Sequence, residues 1–139
     1  MTRKQTSCLY FQPEYGYSCA QAVFLPFAEN SGLSRESAAK LSAAFGGGVG
    51  GLEQTCGALC GAAMALALAV HPADPKDSQK KAYYRKTMQK MGRAFEEKFG
   101  SMQCCELKAM DQNRPQPADG SRPCAKYVSF CAEYLESLI

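Results

Sequence analysis

The chain has 139 residues, which is enough for one globular domain, since single domains most often contain roughly 100 to 150 residues. Hydrophobic residues make up 46% of it and charged residues 21%, a composition that excludes a disordered or a fibrous protein. The formal net charge of +3 is a weak basic bias, and it argues against a nucleic-acid-binding protein.

Glycine and proline divide the chain into segments of helical length, and none of these segments alternates apolar and polar residues as a strand does. A first helix is predicted over about residues 4–12. Ser18 is the predicted N-cap of a second helix that ends near residue 30, and Ser34 is the predicted N-cap of a third. The third helix must end at Gly46, where a run of glycines begins.

The fourth and fifth helices are predicted to supply much of the core. The fourth follows Thr55 as its N-cap, runs to about His71, and is rich in alanine and free of charge, so we expect it to be central. The fifth begins at Asp77 or Ser78 and ends at Gly100. It carries the clearest apolar stripe of the chain, made of Tyr84, Met88, Met91, Phe95 and Phe99.

The C-terminal part is predicted to contain two more helices. A sixth follows Ser101 as its N-cap and ends near Met110, and a polar loop covers residues 111–122 before Pro123 opens the last helix. The stripe of that last helix contains Cys124, Val128, Cys131, Leu135 and Leu138. The sequence thus predicts an all-α, single-domain bundle of about five to seven helices over residues 1–139, with an alanine-rich central helix.

The apolar runs and the N-terminus favour a cytoplasmic protein with no membrane segment. The longest uncharged apolar run, residues 58–70, has thirteen residues, whereas a membrane-spanning helix needs about twenty. Residues 1–10 lack the apolar stretch and the cleavage site of a secretory signal.

Eight cysteines are unusual in a chain of this size. In a reducing compartment they are more often metal ligands or redox groups than structural disulfides. Four of them lie in the first turn of a predicted helix, where free backbone N–H groups and the helix dipole lower the pKa of a thiol. These four are Cys19, Cys56, Cys104 and Cys124. The alternative for any one of them is a small buried hydrophobic residue.

Two further patterns bear on the chemistry. Cys56 and Cys60 form C-x-x-x-C, which places both sulfurs on one helix face, one turn apart. The single histidine, His71, lies at a helix end beside Pro72 and is interpreted as structural, which makes a mixed Cys/His zinc site less expected. No C-x-x-C-H is present, which argues against covalently attached haem.

A glycine run separates the third and fourth helices. No strand precedes it and no Gly-Lys-Ser/Thr follows, so a nucleotide-binding loop is rejected. We interpret it first as a helix stop and a tight connection. The functional alternative is that backbone amides of Gly46, Gly47 and Gly48 bind a neighbouring thiolate or a bound anion.

Five short motifs occur in a fixed order: residues 16–23 (GYSCAQAV), 45–50 (FGGGVG), 55–62 (TCGALCGA), 99–104 (FGSMQC) and Cys124. Over about residues 15–138 the chain resembles the redox-active protein family named C_GCAxxG_C_C after its cysteine motif. The resemblance implies that the four characteristic cysteines are Cys19, Cys56, Cys104 and Cys124. Four more cysteines, Cys8, Cys60, Cys105 and Cys131, depart from the usual pattern. A similar region occurs in some multihaem cytochromes, where its cysteines look like iron–sulfur ligands.

The first hypothesis is a redox-active thiol protein or electron carrier in which Cys56 is the main reactive or ligating sulfur. Either Cys56 exchanges disulfides with Cys60 or another nearby thiol, or the four characteristic cysteines ligate an iron–sulfur cluster. The alternatives are a zinc or soft-metal module without redox turnover and a structural protein-interaction domain. We expect a redox protein as the partner, neither nucleic acid nor membrane, and we leave self-association open. Any enzymatic activity would be oxidoreductase-like thiol chemistry, because no acid pair and no nucleophile–histidine set is present.

Overall fold

The computed structural model describes residues 1–70 and 74–139, and the regular structure of these residues is helical. It confirms the all-α class. Seven α-helices are described: α1 Arg3–Tyr10, α2 Cys19–Ala28, α3 Arg35–Ser42, α4 Gly57–Val70, α5 Ser78–Phe99, α6 Cys104–Gln112 and α7 Ala125–Leu138. Two short 3₁₀ turns, Pro13–Tyr15 and Ala43–Phe45, precede α2 and follow α3. The predicted end of the fourth helix at His71 lies outside the described residues.

Two predicted N-caps are confirmed. The Ser18 hydroxyl accepts the backbone N–H of Gln21 at 3.3 Å, and the Gln21 side chain accepts the N–H of Ser18 at 3.0 Å. The Ser34 hydroxyl accepts the N–H of Ser37 at 3.0 Å. These bonds satisfy N–H groups that have no partner inside the helix, which is why α2 and α3 begin where short polar residues stand.

The start of α4 differs from the prediction. Thr55 is not the N-cap, because it pairs with Gln103 in an isolated antiparallel bridge. Its neighbour Cys56 donates its N–H to the carbonyl oxygen of Met102 at 2.8 Å, and its own carbonyl accepts the N–H of Cys60 at 3.1 Å. Cys56 therefore occupies the N-cap position itself. A pairing with a segment almost fifty residues away overrides the local preference for a hydroxyl cap.

The last two helices also begin later than predicted. Ser101 does not cap α6; its hydroxyl accepts the N–H of Gln103 at 2.9 Å, and the helix begins at Cys104. Pro123 lies outside α7, whose N-cap is Cys124. Both corrections place a cysteine, rather than a serine or a proline, at the very start of a helix.

The core lies between α2 and α4. Eight of the ten residues of α2 are buried. Alanine and glycine on α4 allow the close approach, since a Cβ added at Gly61 would stand 2.5 Å from the carbonyl oxygen of Ala20. Helix α4 also packs against α5 and α7, which confirms it as a central helix.

The predicted apolar stripes of α5 and α7 face this core. Met91, Phe95 and Phe99 of α5 are buried, as are Val128, Cys131 and Leu135 of α7. The ring centroids of Phe99 and Tyr127 lie 4.8 Å apart in an edge-to-face arrangement, which fixes the first turn of α7 against the end of α5. Within the described ranges, no helix combines the length and the apolar character that crossing a membrane requires.

Candidate functional site

Four different helices each begin at a cysteine. Cys19 and Cys104 are the first residues of α2 and α6, and Cys56 and Cys124 are the residues before α4 and α7. The predicted placement of these four cysteines at helix starts is confirmed. The positive end of each helix dipole thus lies at a sulfur-bearing position, although the Gln21 N–H of α2 is bonded to Ser18 and the Cys104 N–H of α6 to Gln54.

The four helix-start cysteines all line one cavity, which has a volume of about 210 Å³. Apolar side chains, Phe11 and Leu107 among them, form much of its wall. The charged side chains in the lining are both cations, Lys108 and Arg122, and no carboxylate lines it. We call this space the cysteine cavity.

Cys56 is the most enclosed of the four, with 5% of its surface exposed. Burial raises the pKa of its thiol from 9.0 to about 12, although the backbone N–H groups of Ala58 and Leu59 act to lower it. The lowered pKa expected from its helix-start position is therefore wrong for Cys56. The loss of hydration destabilises the Cys56 thiolate by more than the hydrogen bonds from the two backbone amides stabilise it.

Burial also raises the thiol pKa of Cys60, Cys104 and Cys124. Lys108 opposes this effect at Cys104, and Arg122 opposes it at Cys124. These thiols are consequently protonated at neutral pH in the metal-free chain. A protonated thiol is a poor nucleophile, whereas a bound metal ionises its thiol ligands outright.

The glycine run packs directly against the cysteine cavity. Residues 47–51 all adopt left-handed backbone conformations, with φ between 63° and 74°. Within this run, Gly48 lies so close to α6 that an added Cβ would stand 2.7 Å from Cys104 Cβ and 2.6 Å from the backbone nitrogen of Gln54. Only glycine fits this position, because both its φ and its surroundings exclude a side chain. The run is a tight connection, as predicted, and it also holds Cys104 in place.

The alternative role predicted for the glycines is ligand binding through their amides. Gly47 lines the cysteine cavity, while Gly46 packs on Ser18, where an added Cβ would stand 2.6 Å from the serine Cβ. The backbone donors that lower the pKa of Cys56 belong to α4 and not to the glycine run. Binding of a thiolate or an anion by Gly46, Gly47 or Gly48 stays a prediction.

The four additional cysteines lie outside the cavity lining. Cys60 is half-buried, and its Sγ lies 3.8 Å from the carbonyl oxygen of Thr55. Cys131 is fully buried between helices, Cys8 is half-buried on α1, and Cys105 is exposed beside Cys104. All eight cysteines are in the described part of the chain, and none of them forms a disulfide.

Sequence reasoning missed the two cations of the cavity wall. Lys108 lies one helical turn after Cys104, a spacing that could have revealed it, and its ammonium binds the Glu53 carboxylate at 2.7 Å. Arg122 comes from the polar loop, which carries no periodic signal. Its guanidinium lies 4.0 Å from the centroid of the Phe11 ring and donates to the Phe11 carbonyl oxygen at 3.4 Å.

A buried polar network supports the wall of the cysteine cavity beside Cys124. The hydroxyl of Tyr127 donates to the Asp111 carboxylate at 2.8 Å, and the ammonium of Lys126 donates to it at 2.7 Å. Burial and this carboxylate raise the pKa of Tyr127. The network satisfies a buried carboxylate and joins α6 to the first turn of α7.

The four cavity cysteines do not form a ready site for one metal ion. Within residues 1–70 and 74–139, no group of three or more His, Cys, Asp or Glu side chains is arranged to hold a metal ion. A tetrahedral zinc site with Zn–S bonds of about 2.3 Å requires sulfurs about 4 Å apart. The four cavity cysteines line a shared space and do not form such a site.

Comparison with known proteins identifies a family. The family model described as "Putative redox-active protein (C_GCAxxG_C_C)" matches residues 17–138, which is most of the chain. Neither the curated proteins nor the solved structures include a match.

Proposed function

Because the chain belongs to the C_GCAxxG_C_C family, we propose that its four helix-start cysteines form a redox centre that ligates an iron–sulfur cluster and transfers electrons. The observation that carries the proposal is their convergence. Cys19, Cys56, Cys104 and Cys124 come from four separate helices and line one cavity of about 210 Å³. Four cysteine thiolates are the usual ligand set of such a cluster.

The electrostatics of the cysteine cavity favour a group of negative charge. Four helix N-termini carry partial positive charge towards it, and the cations Lys108 and Arg122 stand in its wall. Glu53 lies outside the described lining but binds Lys108 at 2.7 Å and reduces its contribution, so Arg122 and the helix N-termini supply most of the positive charge. Thiolates ligating iron and sulfide make an anionic assembly, so these fixed positive groups would stabilise it.

The protonation of the thiols supports ligation over free thiol chemistry. Disulfide exchange needs a thiolate near neutral pH, but burial raises the pKa of Cys56 to about 12 and also raises that of Cys60. A metal-bound thiol loses its proton irrespective of that cost. Enclosure by Phe11 and Leu107 would also limit contact with water, a factor that sets the reduction potential of a cluster.

A polynuclear group suits this arrangement better than a single zinc ion does. In the described residues no three ligands stand close enough for one metal ion, yet all four cysteines border the same space. In a cluster the thiolates bind different iron atoms and therefore stand farther apart. A purely structural domain would account for the burial of Cys131 but gives no reason for four cysteines around one cavity.

The test is a panel of single substitutions in protein purified without oxygen. We expect Cys19→Ser, Cys56→Ser, Cys104→Ser and Cys124→Ser each to lose most of the bound iron and the visible absorption. Cys8→Ser and Cys105→Ser are the matched controls, because neither residue lines the cavity, and both should retain iron. Circular dichroism checks that the helices persist. Equal iron content in all six variants would refute the assignment of ligands.

A further inference from the structure

Cys60 stands next to the cysteine cavity without belonging to its lining. It follows Cys56 by one turn of α4, and its backbone N–H donates to the Cys56 carbonyl oxygen at 3.1 Å. Its Sγ lies 3.8 Å from the carbonyl oxygen of Thr55, so the side chain points back towards the N-terminal end of the helix, where Cys56 lies. Cys56 lines the cavity, and Cys60 lies one turn further along α4, outside the lining.

Cys56 and Cys60 are one helical turn apart, and the general geometry of that spacing is close to what a disulfide requires. Side chains four residues apart in an α-helix have Cβ atoms about 5–6 Å apart, and a disulfide needs about 3.5–4.5 Å. Closing the pair therefore needs a shift of only one or two ångströms at the first turn of α4.

The first turn of α4 is able to make that shift. Cys56 is the N-cap, so its φ and ψ are not fixed by the helix, and the first helical residue is Gly57, which restricts the backbone least. A disulfide between Cys56 and Cys60 would therefore leave the buried body of α4 in place. The thiol of Cys131, by contrast, lies on α7 in the fully packed core, where an approach to Cys56 would displace packed side chains.

Access differs between the two thiols. Cys60 is half-buried, whereas 5% of Cys56 is exposed and Cys131 is fully enclosed. A small oxidant arriving from solvent on this side of α4 therefore meets Cys60 before Cys56.

We propose that Cys56 and Cys60 form an oxidation site, in which a hydroperoxide drives a disulfide that withdraws Cys56 from the cysteine cavity. Cys60 first loses its proton, and the thiolate, a minor form at neutral pH, attacks the peroxide; the sulfur becomes a sulfenic acid, and water or an alcohol is released. The thiolate form of Cys56 then attacks that sulfur, forming the S–S bond and releasing water, so the reaction is slow at neutral pH and faster in alkali. Two thiols are oxidised and one peroxide is reduced.

The consequence for the redox centre rests on the proposed function. A sulfur in a disulfide no longer offers a thiolate, so the disulfide and ligation by Cys56 exclude each other. Oxidation would thus switch the centre off, and a dithiol reductant would restore it.

The sequence offers a direct readout of this bond. Trypsin cleavage after Lys40 and Lys76 releases residues 41–76, in which the cysteines are Cys56 and Cys60. The full chain, purified without oxygen, is exposed to a small excess of hydrogen peroxide, alkylated, digested without reductant and analysed by mass spectrometry. We expect this peptide to lose two hydrogen atoms and to resist alkylation until a dithiol reductant is added.

The variants separate this inference from the proposed function. Cys60→Ser should retain its iron before oxidation and form no such peptide, while Cys105→Ser, the control, should form it as the wild type does. Alkylation of both cysteines after peroxide, or a linkage of Cys56 to Cys19, Cys104, Cys124 or Cys131, would overturn the inference and leave the iron results standing. A chain that binds no iron but forms the bond would overturn the proposed function alone.

Discussion

Cys56 illustrates that burial can outweigh a helix N-terminus in setting the protonation of a thiol. Its position offers the donors Ala58 and Leu59, which by themselves would favour the thiolate. The same position is 5% exposed, so the charged form loses nearly all of its hydration. The residue remains protonated unless a cation binds it.

This protonation predicts an alkaline loss of stability in the metal-free chain. The pKa of Cys56 rises from 9.0 to about 12 on folding, so as the pH increases the unfolded chain loses its thiol proton first. One pKa unit corresponds to 1.36 kcal/mol, so we expect the free energy of unfolding to fall by about 4 kcal/mol between about pH 9 and pH 12. Below about pH 9 the Cys56 thiol is protonated in both the folded and the unfolded chain, so its contribution to the free energy of unfolding is fully retained.

Urea unfolding of the metal-free wild type and of Cys56→Ser at several alkaline pH values measures this effect. The serine variant lacks the ionising group and should lose less stability over the same range, although Cys60, Cys104 and Cys124 still contribute with the same sign. An identical pH dependence in the two proteins would show that Cys56 ionises as freely in the folded state as in the unfolded one.

At the scale of elements, the first turn of α4 is where the site is assembled. Its N-terminus is tied to the start of α6, because Cys56 donates to the carbonyl of Met102 and Cys104 donates to the carbonyl of Gln54 at 2.6 Å. Gly57, the first residue of α4, lies directly against the sulfur of Cys19. Three of the four helix-start cysteines are thus positioned by one short stretch of backbone.

Gly57→Ala tests this arrangement. The added methyl group would overlap the Sγ of Cys19 and stand 3.1 Å from the carbonyl oxygen of Phe45, so one of them must move. We expect a destabilisation of about 1–3 kcal/mol, as for other overpacked sites, together with a loss of bound iron. Urea denaturation and iron analysis measure the two effects.

Gly92→Ala on α5 is the matched control for this substitution. It is also a buried helical glycine, but its new Cβ would meet only Met102 Sδ at 3.0 Å, the flexible end of a side chain. It should retain iron. Equal iron content and stability in both variants would mean that the contact between Gly57 and Cys19 does not position the sulfur.

The elements also show where local sequence is sufficient and where it is not. Ser18 and Ser34 were predictable N-caps because the bonds that they accept come from residues three positions ahead. Thr55 and Ser101 are not N-caps because the segments that contain them pair with each other. The local sequence of neither segment predicts this pairing. Hydrogen bonds between residues a few positions apart can be predicted from the sequence, whereas a backbone bridge between distant segments cannot.

For the whole molecule, the residues of the candidate site were easier to predict than their arrangement in space. The motif and the helix starts identified Cys19, Cys56, Cys104 and Cys124, and the fold class followed from the apolar periodicity. The convergence of the four cysteines on one cavity depends on how α2, α4, α6 and α7 pack, and no local sequence pattern determines that packing. Arg122 could not be predicted for the same reason. It lies in a loop without sequence periodicity, and its partner Phe11 is more than a hundred residues away.

The packing also explains why additional cysteines do not enlarge the site. Helix starts meet at the cysteine cavity, and of the residues later in these helices the described lining contains Leu107, Lys108 and Tyr127. Cys60 and Cys131 lie outside that lining, although Cys131 shares a helix stripe with Cys124.

Ligation of an iron–sulfur cluster by these four cysteines, as proposed above, is tested most directly by one measurement. The wild-type chain is purified without oxygen, its visible absorption is recorded, and iron and acid-labile sulfide are counted on the same sample. We expect a coloured protein with iron and sulfide in stoichiometric amounts and an absorption that bleaches on reduction. A colourless chain with no iron and eight titratable thiols would contradict it.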